Sequence, residues 1–273
     1  MFGNYLKKVR TLNPLVHNIT NYVTVNDCAN LLIASGASPI MADALEEMEN
    51  IVSISQSLNI NLGTLNERTV ASMLQAGRSS NQKHHPIILD PVGVGASSYR
   101  TNTANHLLEQ LSFSVIRGNL SEIKALALST ASTKGVDANE NDSITNNNLD
   151  SILAFAQSFS KQTGAVIAIT GAIDVVVDAK KAFVIRNGHA MMSKISGTGC
   201  MLSALIAAYV GANPEQTLQS CAAAVCAMGI CGERAYARLQ PNEGNLTYKT
   251  RIFDEMFHLT PEILEKGASY EIR

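Results

Sequence analysis

The chain has 273 residues, 46% hydrophobic and 16% charged, with a net charge of -2. That length can bury a full core as one large α/β domain or two small ones, while the charge balance lacks the basic field that a nucleic-acid backbone demands, so small molecules are the expected partners and nucleic acid is not. Five cysteines without a C-x-x-C pair argue against a disulfide framework and a zinc site and fit reduced thiols in the cytoplasm.

The first ten residues carry basic side chains after no apolar run, and the apolar stretches 202–210 and 221–231 are too short to span a bilayer, so neither a targeting signal nor a membrane helix is expected. Along the chain, residues 38–41, 60–62, 86–89, 115–116 and 165–169 read as short buried strands. Helical spacing separates them at 25–35, 66–77, 103–111 and 149–163. This alternation predicts a parallel sheet with helices on both faces. Residues 174–177 and 182–185 read as a hairpin closed by the polar turn 178–181, followed by two apolar helices, 199–211 and 214–237, and a shorter one at 248–258. The Asn- and Ser-rich stretch 129–148 reads as a solvated surface loop. His84, His85 and His106 read as surface residues without a role.

Chemistry concentrates at the expected strand ends. Ser196-Gly197-Thr198-Gly199-Cys200 stands directly before an apolar helix. Glycines there let backbone N–H groups turn inward, and the helix start adds unpaired donors and a positive dipole end, so Gly197, Thr198 and Gly199 are candidates for an anion hole. An ordinary glycine-rich helix start gives the same pattern. Cys200, as the first or second helical residue, is expected to shift toward thiolate and is the candidate base, whereas Cys221, Cys226 and Cys231 read as inert packing. Asp90 follows a strand and is the first metal candidate, with an Asp-Pro turn as the competing reading. Arg117-Gly118-Asn119 with Glu122 offers a cation for phosphate and a carboxylate one turn further on; the same residues also spell a helix cap at Asn119. Thr170-Gly171 repeats the theme with a hydroxyl. No P-loop, G-x-G-x-x-G or protein-kinase signature is present.

These motifs together resemble the hydroxyethylthiazole kinase family of the ribokinase-like superfamily. The resemblance is carried by His17-Asn18-Ile19-Thr20-Asn21-Tyr22-Val23-Thr24, Gly36-Ala37-Ser38-Pro39-Ile40-Met41, Leu89-Asp90-Pro91-Val92-Gly93, Arg117-Gly118-Asn119 with Glu122, Lys134-Gly135-Val136-Asp137 and Gly197-Thr198-Gly199-Cys200, and runs from about residue 13 to the C-terminal helices. It implies a three-layer ribokinase-like α/β fold over residues 1–273 as one kinase domain, and ATP- and Mg²⁺-dependent phosphorylation of the primary alcohol of 4-methyl-5-(2-hydroxyethyl)thiazole in thiamine biosynthesis or salvage. On matching positions, Arg117 and Thr170 would contact the nucleotide phosphates, Met41, Gly197 and Asn21 the thiazole, and Asp90 and Glu122 the metal. The superfamily usually has an Asp where this chain has Cys200; the thiazole-kinase branch resembles this sequence in having Cys. Family members are homotrimers with the pocket between subunits, which would put the segment from His17 beside a neighbour's thiazole site. The alternatives are a kinase for another small alcohol such as a hydroxymethylpyrimidine, an ATP-dependent hydrated-NADH dehydratase on the same fold, and a silent ligand-binding protein.

Overall fold

Alternation of side chains along buried strands sorts this chain into three layers. The computed structural model describes residues 2–129 and 143–273. In chain order they form α1 (Gly3–Leu12), β1 (Leu15–Ile19), α2 (Val25–Ser35), β2 (Ser38–Met41), α3 (Met48–Ile54), β3 (Ser57–Asn61), α4 (Glu67–Gln82), β4 (Ile87–Asp90), α5 (Ser98–Gln110), β5 (Val115–Asn119) and α6 (Leu120–Ser129). After the break come α7 (Leu149–Thr163), β6 (Val166–Thr170), β7 (Asp174–Val177), β8 (Ala182–Ile185), α8 (Thr198–Ala212), α9 (Thr217–Ala237), α10 (Asn245–His258), α11 (Pro261–Gly267) and β9 (Tyr270–Ile272).

The nine strands lie in the order β2-β1-β3-β4-β5-β6-β7-β8-β9. Every pair from β2 to β6 is parallel; β7, β8 and β9 are antiparallel additions. Val16, Ile88, Val115 and Ala168 point into one apolar cluster with α1, α2, α8, α9, α10 and α11; Leu58, Ile60, Leu89, Ile116 and Ile167 point into the other with α3 to α7. This is the mostly parallel, three-layer α/β architecture that the sequence predicts. No described helix is long and apolar enough to cross a membrane.

Two features of the layout place a site. First, β1 continues to β2 on one side and is flanked by β3 on the other, so the chain leaves the ends of β1 and β3 in opposite directions and opens a crevice there. Second, α8 lies over β1, β3 and β4, and its close approach needs small side chains: a Cβ at Gly211 would sit 3.0 Å from Ser57 Oγ. Under that helix β3 is polar, since Ser57, Asn59 and Asn61 are all buried on its side.

Differences from the sequence reading are local. α1, α3, α6, α11, β1 and β9 are additional, with only the cap of α6 foreseen, β3 is centred earlier than 60–62, α4 runs five residues past Gly77, and the helix expected from Pro214 begins with a 3-10 turn, Pro214–Gln216. The stretch 129–148 lies largely outside the described residues; residues 143–148 form a turn leading into α7. His84 and His106 are exposed, whereas His85 is half-buried.

Candidate active site

The carboxyl ends of β1, β3, β4, β5 and β6 meet the start of α8. Gly197, at φ +89, is the residue before the helix. A Cβ at this position would overlap Thr24 Cγ2, so glycine is required both by the left-handed backbone and by the close approach of the loop after β1. The first helical bond runs from the Met201 N–H to the Gly197 carbonyl, 2.9 Å. The N–H groups of Thr198, Gly199 and Cys200 therefore have no helical acceptor.

Cys200 is the third residue of α8, one turn position later than the sequence suggested. It is 9% exposed, yet its surroundings are polar: Asn21 Nδ2 donates to Sγ at 3.3 Å. Burial, joined by the charge of Asp90, pushes its thiol pKa up, against the smaller lowering effect of hydrogen bonds from Asn61, Asn21 and Thr24. The expected shift toward thiolate is thus corrected, because desolvation outweighs the helix end. Cys28 lies in the same region with its thiol pushed up to about 12 by burial. Cys221, Cys226 and Cys231 are buried in α9, with thiols pushed up by burial alone or chiefly by it.

Asp90 is fully buried at the end of β4. Its Oδ2 accepts from Ser203 Oγ at 2.7 Å and Asn61 Nδ2 at 2.9 Å, and lies 3.7 Å from Arg117 Nη1. Burial raises its pKa to about 6 despite Arg117 and these hydrogen bonds. Its Oδ1 is buried without a partner among the described residues. Glu122 accepts from the Gly93 N–H at 3.0 Å and the Asn119 N–H at 2.9 Å, while Asn119 Oδ1 accepts from the Glu122 N–H at 2.8 Å. That reciprocal pair is the capping arrangement foreseen at the start of α6, and it also fixes the carboxylate beside the loop after β4.

Arg117, 9% exposed, runs under the start of α8: its Nη2 donates to Thr170 Oγ1, and its guanidinium occupies the place a Gly199 side chain would take. Arg117, Thr170, Thr198 and Gly199 line a cavity of about 690 Å³. His189, Met192, Val225, Met228 and Gly229 line it as well. Asp174 lines it too, with Oδ1 accepting the Gly171 N–H at 2.8 Å and a pKa raised to about 7, chiefly by desolvation.

An oxygen-only site for a hard cation fits this donor set. Asp90 Oδ1 is an orphaned buried acceptor, and no group of three or more His, Cys, Asp or Glu side chains suited to a metal occurs among the described residues. Mg²⁺ commonly takes one or two carboxylates and completes its shell with water and phosphate.

Met41 ends β2, one strand outside β1, and is half-buried at the same edge of the sheet. Lys134 to Asp137 fall outside the described residues. Two residues were missed by sequence reasoning. Asn61 touches both Asp90 and Asn21; its only sequence signal is a buried-strand Asn at the end of an apolar alternation. Arg100, from α5, donates to the carbonyls of Leu62, Gly63 and Val92, clamping the loops after β3 and β4. It carries no local signal.

The sequence model of the hydroxyethylthiazole kinase family matches residues 6–262. A hydroxyethylthiazole kinase of Clostridium acetobutylicum is 59% identical over 271 residues, 99% of each chain. The structure of a hydroxyethylthiazole kinase from Pyrococcus horikoshii superposes with a TM-score of 0.88 at 31% identity, covering 100% of this chain and 98% of that one. A ribokinase-like superfamily protein from Enterococcus faecalis, at TM-score 0.61 and 15% identity over 94% of this chain and 90% of its own, shares the fold.

Proposed function

The chain belongs to the hydroxyethylthiazole kinase family, and from that premise we propose that it transfers the terminal phosphoryl group of ATP to the primary hydroxyl of hydroxyethylthiazole, with Cys200 as the proton acceptor. The observation that carries this reading is the position of one helix start between two half-sites. The cavity with Arg117, Thr170 and Gly199 lies on one side, and the Cys200–Asn21 contact lies on the other. A phosphate seated at the start of α8 is thereby adjacent to the thiol.

Phosphoryl transfer asks the protein chiefly to align its reactants and neutralise oxygen charge. The N–H groups of Thr198, Gly199 and Cys200 hold the moving phosphoryl, and the Arg117 guanidinium, steadied by Thr170, neutralises its neighbours. Asp90 and Glu122 would hold Mg²⁺, directly or through water, and a bound Mg²⁺ supplies charge neutralisation on the nucleotide oxygens. Asn21 and Gly197 face the acceptor alcohol, and Met41 closes its far side. As the bond from the hydroxyl oxygen to the γ-phosphorus forms and the bond to the departing ADP breaks, the hydroxyl proton passes to Sγ of the thiolate form of Cys200, a minority form because burial holds the thiol pKa up.

The same proposal includes a homotrimer in which a neighbour covers the acceptor half-site. Tyr22 and Val23, next to Asn21, are 79% and 61% exposed, and β2 is an edge strand. It further includes residues 1–273 working as a single kinase domain in the cytoplasm, a setting that suits five free cysteines. A coupled ADP-release assay with hydroxyethylthiazole, beside a hydroxymethylpyrimidine and hydrated NADH, tests the reading. ADP formation dependent on the thiazole is expected; ADP formed only with one of the others, or none with any, defeats it.

A further inference from the structure

The two half-sites are joined through one amide. Asn61, the last residue of β3, is 1% exposed. Its Oδ1 accepts the Gly63 N–H at 2.9 Å, a backbone donor that dictates which way round the amide lies. With the oxygen so fixed, it also accepts from Asn21 Nδ2 at 2.9 Å, and Asn61 Nδ2 donates to Asp90 Oδ2 at 2.9 Å.

Asn21 is oriented with equal definition. Its Oδ1 accepts both the Thr24 N–H and the Thr24 hydroxyl at 3.1 Å, so its Nδ2 must face inward, where it meets Asn61 Oδ1 and Cys200 Sγ. Gly63 presses on it from outside: a Cβ there would lie 2.7 Å from Asn21 Cβ and 2.9 Å from its Nδ2. The Gly63 carbonyl is in turn held by Arg100 Nη2 at 2.7 Å. Both amide oxygens thus carry two donors each, and an apolar residue at 61 would orphan the Gly63 N–H and take from Asn21 Nδ2 one of its two acceptors.

This linkage spans β1 and β3, the two strands whose chain connections diverge, and it lies beneath the bond from the Tyr22 N–H to Thr64 Oγ1, 3.3 Å, between the loops that follow them. We propose that Asn61 is the positioning residue of the acceptor half-site, mounting Asn21 against Cys200 and tying that pair to Asp90 across the crevice. The assignment rests on the kinase reading above, and the test separates the two.

Steady-state kinetics of wild type, Asn61→Ala, Asn61→Asp, Asn21→Ala and the Asn61→Ala/Asn21→Ala double variant form the experiment. For Asn61→Ala, kcat is expected to fall about 10- to 100-fold, the worth of one or two hydrogen bonds that include a charged partner. The KM for the thiazole rises while that for ATP stays within about threefold, and the double variant is no worse than the poorer single, because both act through one linkage. Asn61→Asp keeps the oxygen facing Gly63 and Asn21 but sets a carboxylate against Asp90; at pH 8 it is expected to fall at least as far as Asn61→Ala.

A folded Asn61→Ala enzyme with wild-type kcat overturns the proposal. So does a rise of both KM values in step, or full additivity in the double variant. Should Asn61→Ala fail to fold, Asn21→Ala carries the same test of selective loss, with an equal rise of the ATP KM overturning it. A wild-type protein inactive on the thiazole sinks the kinase reading instead. Iodoacetamide labelling of Cys200, read by mass spectrometry, needs no substrate: Asn21 Nδ2 donates to Sγ and so stabilises the reacting thiolate, and Asn21→Ala is expected to slow labelling about threefold or more, the equilibrium worth of one hydrogen bond; unchanged or faster labelling overturns the mounting of Asn21 on the sulfur.

Discussion

Replacing Gly197 with alanine tests whether the loop after β1 and the start of α8 are built as one unit. Two costs can be worked separately. The backbone at φ +89 disfavours a Cβ, by about 1–2 kcal/mol for a residue other than glycine. The new methyl also overlaps Thr24 Cγ2 and would sit 3.2 Å from Thr24 Cβ, an overpacking worth about 1–3 kcal/mol. Thr24 cannot swing away freely, because its hydroxyl and N–H are both bound to Asn21 Oδ1. Urea unfolding should therefore show a loss of about 2–5 kcal/mol with an unchanged m-value. Thr24→Ser removes Cγ2 and keeps the hydroxyl. In the Gly197→Ala/Thr24→Ser double variant most of the overpacking share should go, since only the 3.2 Å approach to Cβ is left, and the backbone share of about 1–2 kcal/mol should remain. A Gly197→Ala protein within about 0.5 kcal/mol of wild type, or a double variant that recovers nothing, would refute the reasoning.

Gly199→Ala should separate activity from stability. Its Cβ meets only the far end of Arg117, whose Cζ would lie 3.0 Å away, so stability should change by no more than about 1 kcal/mol, while displacement of the guanidinium raises the KM for ATP about tenfold or more; an unchanged KM would remove Arg117 from the nucleotide's partners. Cys200→Ala should retain ATP binding by calorimetry and lose turnover by about 10²- to 10⁴-fold, and Cys200→Asp should stay active because a carboxylate at that helix position can take the proton; unaltered turnover in the first, or a folded but dead second, contradicts the base assignment. Asp174 is raised from 3.8 to about 7, so between these pH values the folded chain binds more protons than the unfolded one and stability falls as pH rises. Asp174→Asn keeps an acceptor for the Gly171 N–H and should flatten that fall in a Tm series from pH 4 to 8; an identical slope would show that Asp174 titrates elsewhere.

The parallel core was legible because its strands are apolar on both faces, as in residues 166–169, and because Leu149–Thr163 and Val25–Ser35 carry clean helical spacing. β1 was not, and the reason is chemical. His17 and Asn18 interrupt its apolar run, and both are buried by the helices that close over them. β3 was legible only at its end, through 60–62, because Asn59 and Asn61 break the pattern over the rest of Ser57–Asn61. Residues that make a strand end useful are those that hide it from hydrophobic periodicity. α1 was passed over for a different reason: its buried side chains, Tyr5, Leu6 and Val9, are few and lie among lysines and arginine. The clustering of polar motifs at strand ends could be read from the sequence. Their mutual hydrogen bonds could not, since Asn21, Asn61, Asp90 and Cys200 come from four separate stretches of chain.

The protonation of Cys200 turns on which of two opposed effects is larger. A helix start favours an anion by about 0.3–1 kcal/mol, whereas taking an ion out of water costs several kcal/mol even after relaxation. Burial therefore wins, and the charge of Asp90 acts in the same direction. Of these two causes only the second can be switched. Asp90→Asn deletes the repelling charge while leaving an oxygen to accept from Ser203 and Asn61, the two donors now on Asp90 Oδ2. The thiol should then become more acidic although the enzyme loses its candidate metal ligand, so Cys200 should react faster with iodoacetamide at pH 7.5 in a protein whose kinase turnover has dropped. Slower or unaltered labelling would mean that desolvation alone sets the state of the sulfur and that Asp90 is too well screened by Arg117, 3.7 Å away, to be felt there.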